Sequence, residues 1–354
     1  MLVGLLAAQI WLGGACSTVE AADSSPERRA TSHARSGAPI NAIAFSPDGR
    51  ELAGGAQDKS VCIWDVHSLK PRQVLPTEAE VHSVAFSSDG KMFASGGMDR
   101  VARLWNIRGG HFALGHALDC RGPVETLAFS PDSKTVVCGT LGSGNIHLYD
   151  TATGKLKRTF WEASNGINAV AFSPDGKTLA SGGANLKLWD ARVENNAEQK
   201  LELSVAELQT SQKKWLRTEL GDYAATWVVW SPKTDLVVSA DGTGGVTAAR
   251  KKVFVWDTKA GRLQKEMRAE GPGELTSLAF SPDGKLVAAG IDTGDLWVVS
   301  GERAWSLKAH AKAIRSIAFS PSEPVLASAG EDGIVKFWAV PSGKLVKVLQ
   351  TQEH

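Results

Sequence analysis

LKAHAKAIRSIAFSPSEPVLASAGEDGIVKFWAVPSGKLVKVL, residues 307–349, decides how the rest of the chain is read. It contains four runs, IRSIAFS, VLASAG, IVKFWAV and KLVKVL, rich in Val, Ile, Phe and Ala and divided by Pro, Ser, Gly and Asp. That pattern predicts four short strands joined by tight turns, a single antiparallel meander. In sister copies the first turn reads Ser-Pro-Asp-Gly, as at Ser46–Gly49, Ser173–Gly176 and Ser281–Gly284. There Pro presets φ, Asp bonds nearby backbone and Gly takes a positive φ.

The unit recurs. The aromatic that ends its first strand aligns as Phe45, Phe86, Phe129, Phe172, Trp230, Phe280 and Phe319, at steps of 41, 43, 43, 58, 50 and 39 residues. A second marker follows 19 residues later as Trp64, Trp105, Val299 and Trp338. In the other copies it follows after 20, 17 and 26 residues, as Tyr149, Trp189 and Trp256. A period near 40 with four strands and a terminal Trp-Asp, as at Trp64-Asp65, Trp189-Asp190 and Trp256-Asp257, resembles the WD40 repeat family. The resemblance implies an all-β fold, a seven-bladed β-propeller of four-stranded antiparallel blades, over residues 39–350. The blades fall at about 40–76, 81–118, 124–162, 167–220, 224–268, 274–309 and 313–349.

In that family a His, a Ser or Thr, an Asp and the Trp form a hydrogen-bonded chain across each blade. By position, His310, Ser328, Asp332 and Trp338 match it in the seventh copy. A relay ending in a carboxylate satisfies several buried polar groups at once. Asp58 with Trp64 and Asp99 with Trp105 keep the Asp-to-Trp spacing, but Thr77 and Glu162-Ala163 stand where a His is expected. Blade 6 has Thr293 and Val299 in the Asp and Trp positions, with Trp297 two residues off. We read the His-Ser-Asp set as structural, because a catalytic triad is defined by geometry and role rather than by residue types.

Composition narrows the function. The 354 residues are 43% hydrophobic, with 36 Gly and 14 Pro, a turn-rich globular chain. Lys and Arg total 39 against 38 Asp and Glu, so no broad basic footprint for nucleic acid exists. Cys62 and Cys138 fall in predicted strands as small buried hydrophobes. There is no Cys-x-x-Cys, and His111 and His116, five apart in a strand, point to opposite faces. No metal site, cofactor or catalytic residue is expected.

Residues 2–15, LVGLLAAQIWLGGA, form an uncharged apolar run of signal-peptide length, too short to span a bilayer. Residues 1–22 therefore read as a signal peptide, cleaved near Ala21 or Ala22, or as a lipoprotein-type signal that leaves Cys16 lipidated. No Lys or Arg precedes Arg28, so the usual basic leader is missing. The expectation is export to a periplasmic, secreted or lipid-anchored state, of the kind seen in bacterial WD40 proteins. A cytoplasmic location follows if this segment is not a signal. Residues 23–38 read as a flexible linker.

Two insertions break the period. ARVENNAEQKLELSVAELQTSQ, 191–212, is placed between the third and fourth strands of blade 4, with KKWLRTEL as the fourth strand and a short amphipathic helix over 205–212. DGTGGVTAARKK, 241–252, is placed between the second and third strands of blade 5, so the two insertions are expected on opposite faces. Each fourth strand follows its own third strand, which predicts closure by blade 1 packing on blade 7.

WD40 proteins mostly serve as platforms for peptides or proteins on the face around the central channel. The resemblance places contact positions four and six residues before the first-strand aromatic and one residue before the Asp of the turn after the second strand. The first set is Asn41, His82, Glu125, Asn168, Thr226, Thr276 and Arg315. The second includes Glu80 and Glu274, and the third Gln57, Met98, Asp292 and Glu331. This rim leans acidic on a neutral chain, which suits a basic or polar segment of a partner. The expected function is a noncatalytic scaffold, monomeric on its own, that binds a protein or peptide. A lipid anchor would be its only membrane contact. The alternative is a propeller enzyme of hydrolase or lactonase type, with His82, Glu125 and Arg315 at the channel mouth.

Overall fold

The computed structural model describes residues 37–161, 166–183, 186–192, 202–204, 225–241, 252–269, 271–301 and 303–350. Among these residues the chain forms seven four-stranded antiparallel sheets, and in each the strands lie side by side in sequence order. Blade 1 is built from Ile40–Phe45, Glu51–Ala56, Ser60–Asp65 and Pro71–Pro76. Among the described residues no strand is shared between blades, and blade 1 packs against blade 7.

Burial explains why the strands differ in sequence. Glu51–Ala56 is buried at five of six positions, whereas the outer strand Arg262–Arg268 alternates exposed and half-buried side chains. A second strand is covered on both faces and reads as a continuous apolar run; an outer strand has water on one side and alternates. The Ser-Pro-Asp turns fix the hairpins. Ser46 Oγ donates to Asp48 Oδ1 at 2.6 Å and accepts the Glu51 N–H at 2.9 Å, and the same pairing recurs at Ser130 with Asp132, Ser173 with Asp175 and Ser281 with Asp283. The serine hydroxyls hold the Asp132, Asp175 and Asp283 carboxyls below the usual range.

Each hydrophobic cluster bridges two neighbouring blades. Ile40, Leu52 and Trp64 of blade 1 pack with Ala327, Val335 and Phe337 of blade 7. Ala53, Ile63 and Leu75 of blade 1 pack with Val81, Phe93 and Phe112 of blade 2. A second contact lies at the inner edge, where the Ser316 hydroxyl of blade 7 accepts the Ile43 N–H of blade 1 at 3.1 Å. Ser83 does the same for Leu127 at 2.9 Å and Thr126 for Val170 at 3.2 Å. The side chains thereby satisfy amides that the innermost strand leaves unpaired.

The fourth strand of blade 4 corrects the sequence reading. Glu202–Ser204 pairs with the third strand, with Lys187 opposite Ser204 and Trp189 opposite Glu202. KKWLRTEL therefore does not fill that place; it and the helix expected over 205–212 lie outside the described residues. The insertion is split, and the connection after Ser204 leads to the next blade. It leaves from the same end of its sheet as the connection after Asp241, whereas the stretch between Asp190 and Glu202 joins the third strand to the fourth from the opposite end, as expected. Residues 1–36, with Cys16, also lie outside the described residues, and among the described residues no helix is long and apolar enough to cross a membrane.

The polar chain of blade 7 is continuous. His310 Nδ1 lies 3.0 Å from both Asp332 carboxylate oxygens, His310 Nε2 lies 2.8 Å from Ser328 Oγ, and Trp338 Nε1 donates to the same hydroxyl at 2.8 Å. A neutral imidazole with its proton on Nδ1 satisfies every member: Nδ1–H to the carboxylate, Ser328 O–H to Nε2, indole N–H to Ser328. Burial holds the His310 pKa down despite Asp332. Blades 2, 4 and 5 keep the indole step, as Trp105 to Ser95, Trp189 to Ser181 and Trp256 to Ser239. Asp99 pairs instead with Arg103 at 2.5 Å, and Asp58 accepts the Ser60 hydroxyl at 2.6 Å. Trp64 meets Gly54, where an added Cβ would lie 2.5 Å from its ring, so blade 1 has no hydroxyl in that place.

Ser328→Ala leaves the buried imidazole nitrogen and indole N–H without partners and should cost about 1–3 kcal/mol in urea unfolding. The unfolded chain binds a proton at His310 more readily than the folded one, so stability should be fully present above about pH 6.5 and fall on acidification below it. Urea midpoints at pH 7.5 and 5.5 check this; an equal pH response in His310→Gln would refute the assignment.

Candidate interaction face at the channel mouth

The first strands begin, and the second strands end, on one face of the ring. There the residue before the turn Asp, or before Thr293 in its place in blade 6, donates its N–H to the carbonyl that precedes the first strand. Gln57 bonds Pro39 at 3.0 Å, Met98 bonds Glu80 at 3.1 Å, Asp292 bonds Glu274 at 3.0 Å and Glu331 bonds Ala313 at 2.9 Å. Gly97 is required beside this clamp, since a Cβ there would overlap the Glu80 carbonyl. These repeated bonds bring positions that are far apart in sequence to one rim.

The rim encloses a cavity of about 540 Å³. Asn41, Gln57, Glu80, His82, Glu125, Asn168, Glu274, Thr276, Asp292 and Arg315 line it. Met98 is 45% exposed but stands outside the cavity wall, and Glu331 lies beside it as the ion-pair partner of Arg315. The side chain of Thr226 lies outside the described residues.

The charges are unevenly committed. His82 Nδ1 lies 2.7 Å from Glu125 Oε2, an inter-blade contact, and its Nε2 lies 3.7 Å from Glu80. The hydrogen bond to Glu125 raises the His82 pKa against the opposing effect of burial. Asp292 is turned inward on its own blade, where its carboxylate accepts the Glu274 N–H at 2.8 Å. Asn41 donates to the Val81 carbonyl at 3.1 Å. Among the described residues the exposed Glu274 carboxylate has no ion-pair partner. The Thr276 hydroxyl is buried with no hydrogen-bond partner among them.

Sequence reasoning missed Trp227. It lines the cavity and donates its indole N–H to the Leu275 carbonyl at 3.1 Å. The signal was present three residues before the first-strand aromatic, where the other copies carry Ala42, Ser83, Thr126, Ala169, Ser277 and Ser316. One indole in a ring of small side chains gives the channel wall an aromatic surface on one side. Chemically, the mouth can accept hydrogen bonds and hold cations. His82 with Glu125 makes a base and its orienting carboxylate, but the wall hydroxyls of Ser83 and Ser316 are occupied by inter-blade amides. Among the described residues no group of three His, Cys, Asp or Glu is placed to hold a metal ion.

Seven sheets closed around a channel with a polar mouth define a β-propeller. The profile of the WD domain, G-beta repeat, matches residues 25–65, 69–106, 112–150, 154–190, 261–296 and 301–339, and the chain belongs to this WD40 repeat family. The long unmatched stretch, 191–260, holds the fourth strand of blade 4, the long connections and the first three strands of blade 5. Meiotic recombination protein rec14 of Schizosaccharomyces pombe is similar, 28% identical over 47% of this chain and 63% of its own length. Transcriptional corepressor LEUNIG_HOMOLOG of Arabidopsis thaliana is 24% identical over 86% of this chain and 36% of its own. Target of rapamycin complex subunit wat1 of S. pombe is 25% identical over 61% of this chain and 64% of its own. The matches thus span less than two thirds of these relatives' own length.

With Glu125 as the main cause, the His82 pKa should lie above that of a free imidazole and fall in Glu125→Gln. A folded-state pKa that is raised contributes stability below about pH 6.5 that is lost as pH rises through the folded value. NMR titration of the His82 ring protons tests this, and an unchanged pKa in Glu125→Gln would count against it.

Proposed function

We propose that the protein is a noncatalytic scaffold that holds a Lys- or Arg-bearing segment of a protein partner at the channel mouth. The observation that carries this reading is the setting of Glu80, Glu125, Glu274 and Asp292 around one cavity with Trp227 in its wall. Carboxylates at a rim select a cation and exclude acidic segments, and an indole face adds cation–π attraction. His82 tunes the charge: once it loses its proton with rising pH, the rim becomes more negative. The similar proteins, a recombination protein, a corepressor and a complex subunit, support a role in an assembly.

Affinity capture from an extract of the native host, with wild-type protein beside Glu80→Lys/Glu274→Lys of equal thermal stability, tests the reading. The wild type should retain a partner that the variant binds at least about tenfold more weakly, about 1.4 kcal/mol. Equal capture by both would move the site away from this rim, and no partner with either would favour the enzyme alternative.

We further propose that the chain is exported, on the strength of the uncharged apolar run at 2–15 and the small residues that follow. The protein isolated from its host should begin after Ala21 or Ala22, or at a lipid-modified Cys16. An intact Met1 by mass spectrometry would overturn export.

A further inference from the structure

Blade 3 keeps the positions of the polar relay but fills them with sulfur. In blade 7, His310 lies nine residues before the first-strand aromatic Phe319 and Ser328 nine after it. In blade 3 the same offsets from Phe129 give Cys120 and Cys138. Tyr149 stands in the Trp position, and its hydroxyl donates to the Asp119 carbonyl at 2.6 Å rather than reaching across the blade. The Cys120 sulfur has a long contact to the Leu118 carbonyl at 3.6 Å, and its near neighbour is the Cys138 sulfur. The two sulfurs lie 2.7 Å apart, and the residues are 0% and 1% exposed.

Three alternatives fail. A metal site needs further ligands, and none are grouped with this pair among the described residues. A nucleophile needs a thiolate and access, whereas burial and the neighbouring Cys120 push the Cys138 thiol up. Cys62, the remaining described cysteine, lies apart in blade 1, where burial and then Asp58 push its thiol up to about 12. What remains is a pair of thiols set against each other by two anchored segments. The Cys120 N–H is fixed to the Arg100 carbonyl at 2.9 Å, and Cys138 sits mid-strand opposite Leu127 and His147.

We propose that Cys120 and Cys138 form a disulfide that replaces the His-Ser step of the relay in blade 3. The bond ties the connection that leaves the outer strand of blade 2 to the second strand of blade 3. The sulfurs have to approach by only about 0.7 Å to reach bonding distance. The oxidant is a disulfide donor, either glutathione disulfide or a protein disulfide. One cysteine thiolate attacks the donor, one donor sulfur leaves as a thiol, and the second cysteine displaces the other. One S–S bond breaks and one forms. Two protons and two electrons pass from the cysteines to the donor, which leaves as two thiols. Because both sulfurs are buried in the folded blade, the exchange takes place as the chain folds.

The test uses the wild-type full-length chain, reduced, unfolded and refolded in a mixture of glutathione and glutathione disulfide, then blocked with N-ethylmaleimide. Trypsin digestion without reductant should yield peptide 109–121 joined to peptide 135–155, with Cys62 alkylated. Reduction should lower Tm by on the order of 5–10 °C. Cys120→Ser/Cys138→Ser should show no such response, while Cys62→Ser keeps both the cross-link and the response. Recovery of Cys120 and Cys138 as separate alkylated peptides, or a cross-link from either to Cys62, overturns the assignment. The mapping does not depend on any variant folding.

Discussion

The ring depends on a close contact between a small residue on one blade and a branched one on the next. An added Cβ at Gly55 would lie 2.5 Å from Val81, at Gly96 2.6 Å from Val124, at Gly139 2.5 Å from Ile167 and at Gly290 2.6 Å from Ile314. In each case the second strand of one blade is bare where the first strand of the next begins. At the closure Ala329 takes the place of the glycine and packs in one cluster with Ile40. A blade with two apolar faces cannot bury both alone, so its stability is set largely by its neighbours. The sockets fix the distance between sheets. That distance lets Ser83, Thr126 and Ser316 reach the next inner strand and sets the width of the channel.

Much of this was legible because the socket, the turn and the strand-ending aromatic recur in phase. Seven aromatics and their markers located the blades, and the Ser-Pro-Asp turns gave the first hairpin of several. Blade 4 was misread where the period fails: KKWLRTEL, 213–220, has the look of an outer strand, while LELS contributes only the three residues Glu202–Ser204. Which segment pairs with Lys187–Trp189 is decided by the reach of the chain and the neighbouring sheet, not by local pattern. Cys138 is legible as a buried strand residue, but its pairing with Cys120 is not, for a different reason. The relay was sought by residue type, and only the offset from Phe129 reveals that the positions are filled.

The rim shows a similar division. Offsets from the aromatics gave the ring of positions, since the backbone clamp at Gln57, Met98, Asp292 and Glu331 repeats with the blades. They did not give the partners. His82 and Glu125 meet across a blade boundary 43 residues apart, and Asp292 turns toward the Glu274 N–H. Five acidic residues read off the sequence therefore overstate what the mouth offers. Glu125 is engaged by His82 and Glu331 by Arg315, which leaves Glu274, the weakly engaged Glu80 and the Trp227 ring as the surface to which the proposed function assigns selectivity.

Variation among blades follows from where stability resides. The same pair of positions holds His and Ser in blade 7 and two cysteines in blade 3, and in blade 1 the hydroxyl gives way to glycine beside Trp64. These are different answers to one local requirement, that the place beside the third-strand aromatic carry no unsatisfied polar group. A full polar chain, a sulfur pair and a filled apolar contact all meet it. The inter-blade sockets admit less latitude, because every sheet is held between two others and at Gly55, Gly96, Gly139 and Gly290 an added methyl group would overlap the next blade. Conformity is thus demanded between blades and relaxed within them. A propeller can then change the chemistry of one blade, or the residues at its mouth, without disturbing the ring that carries them.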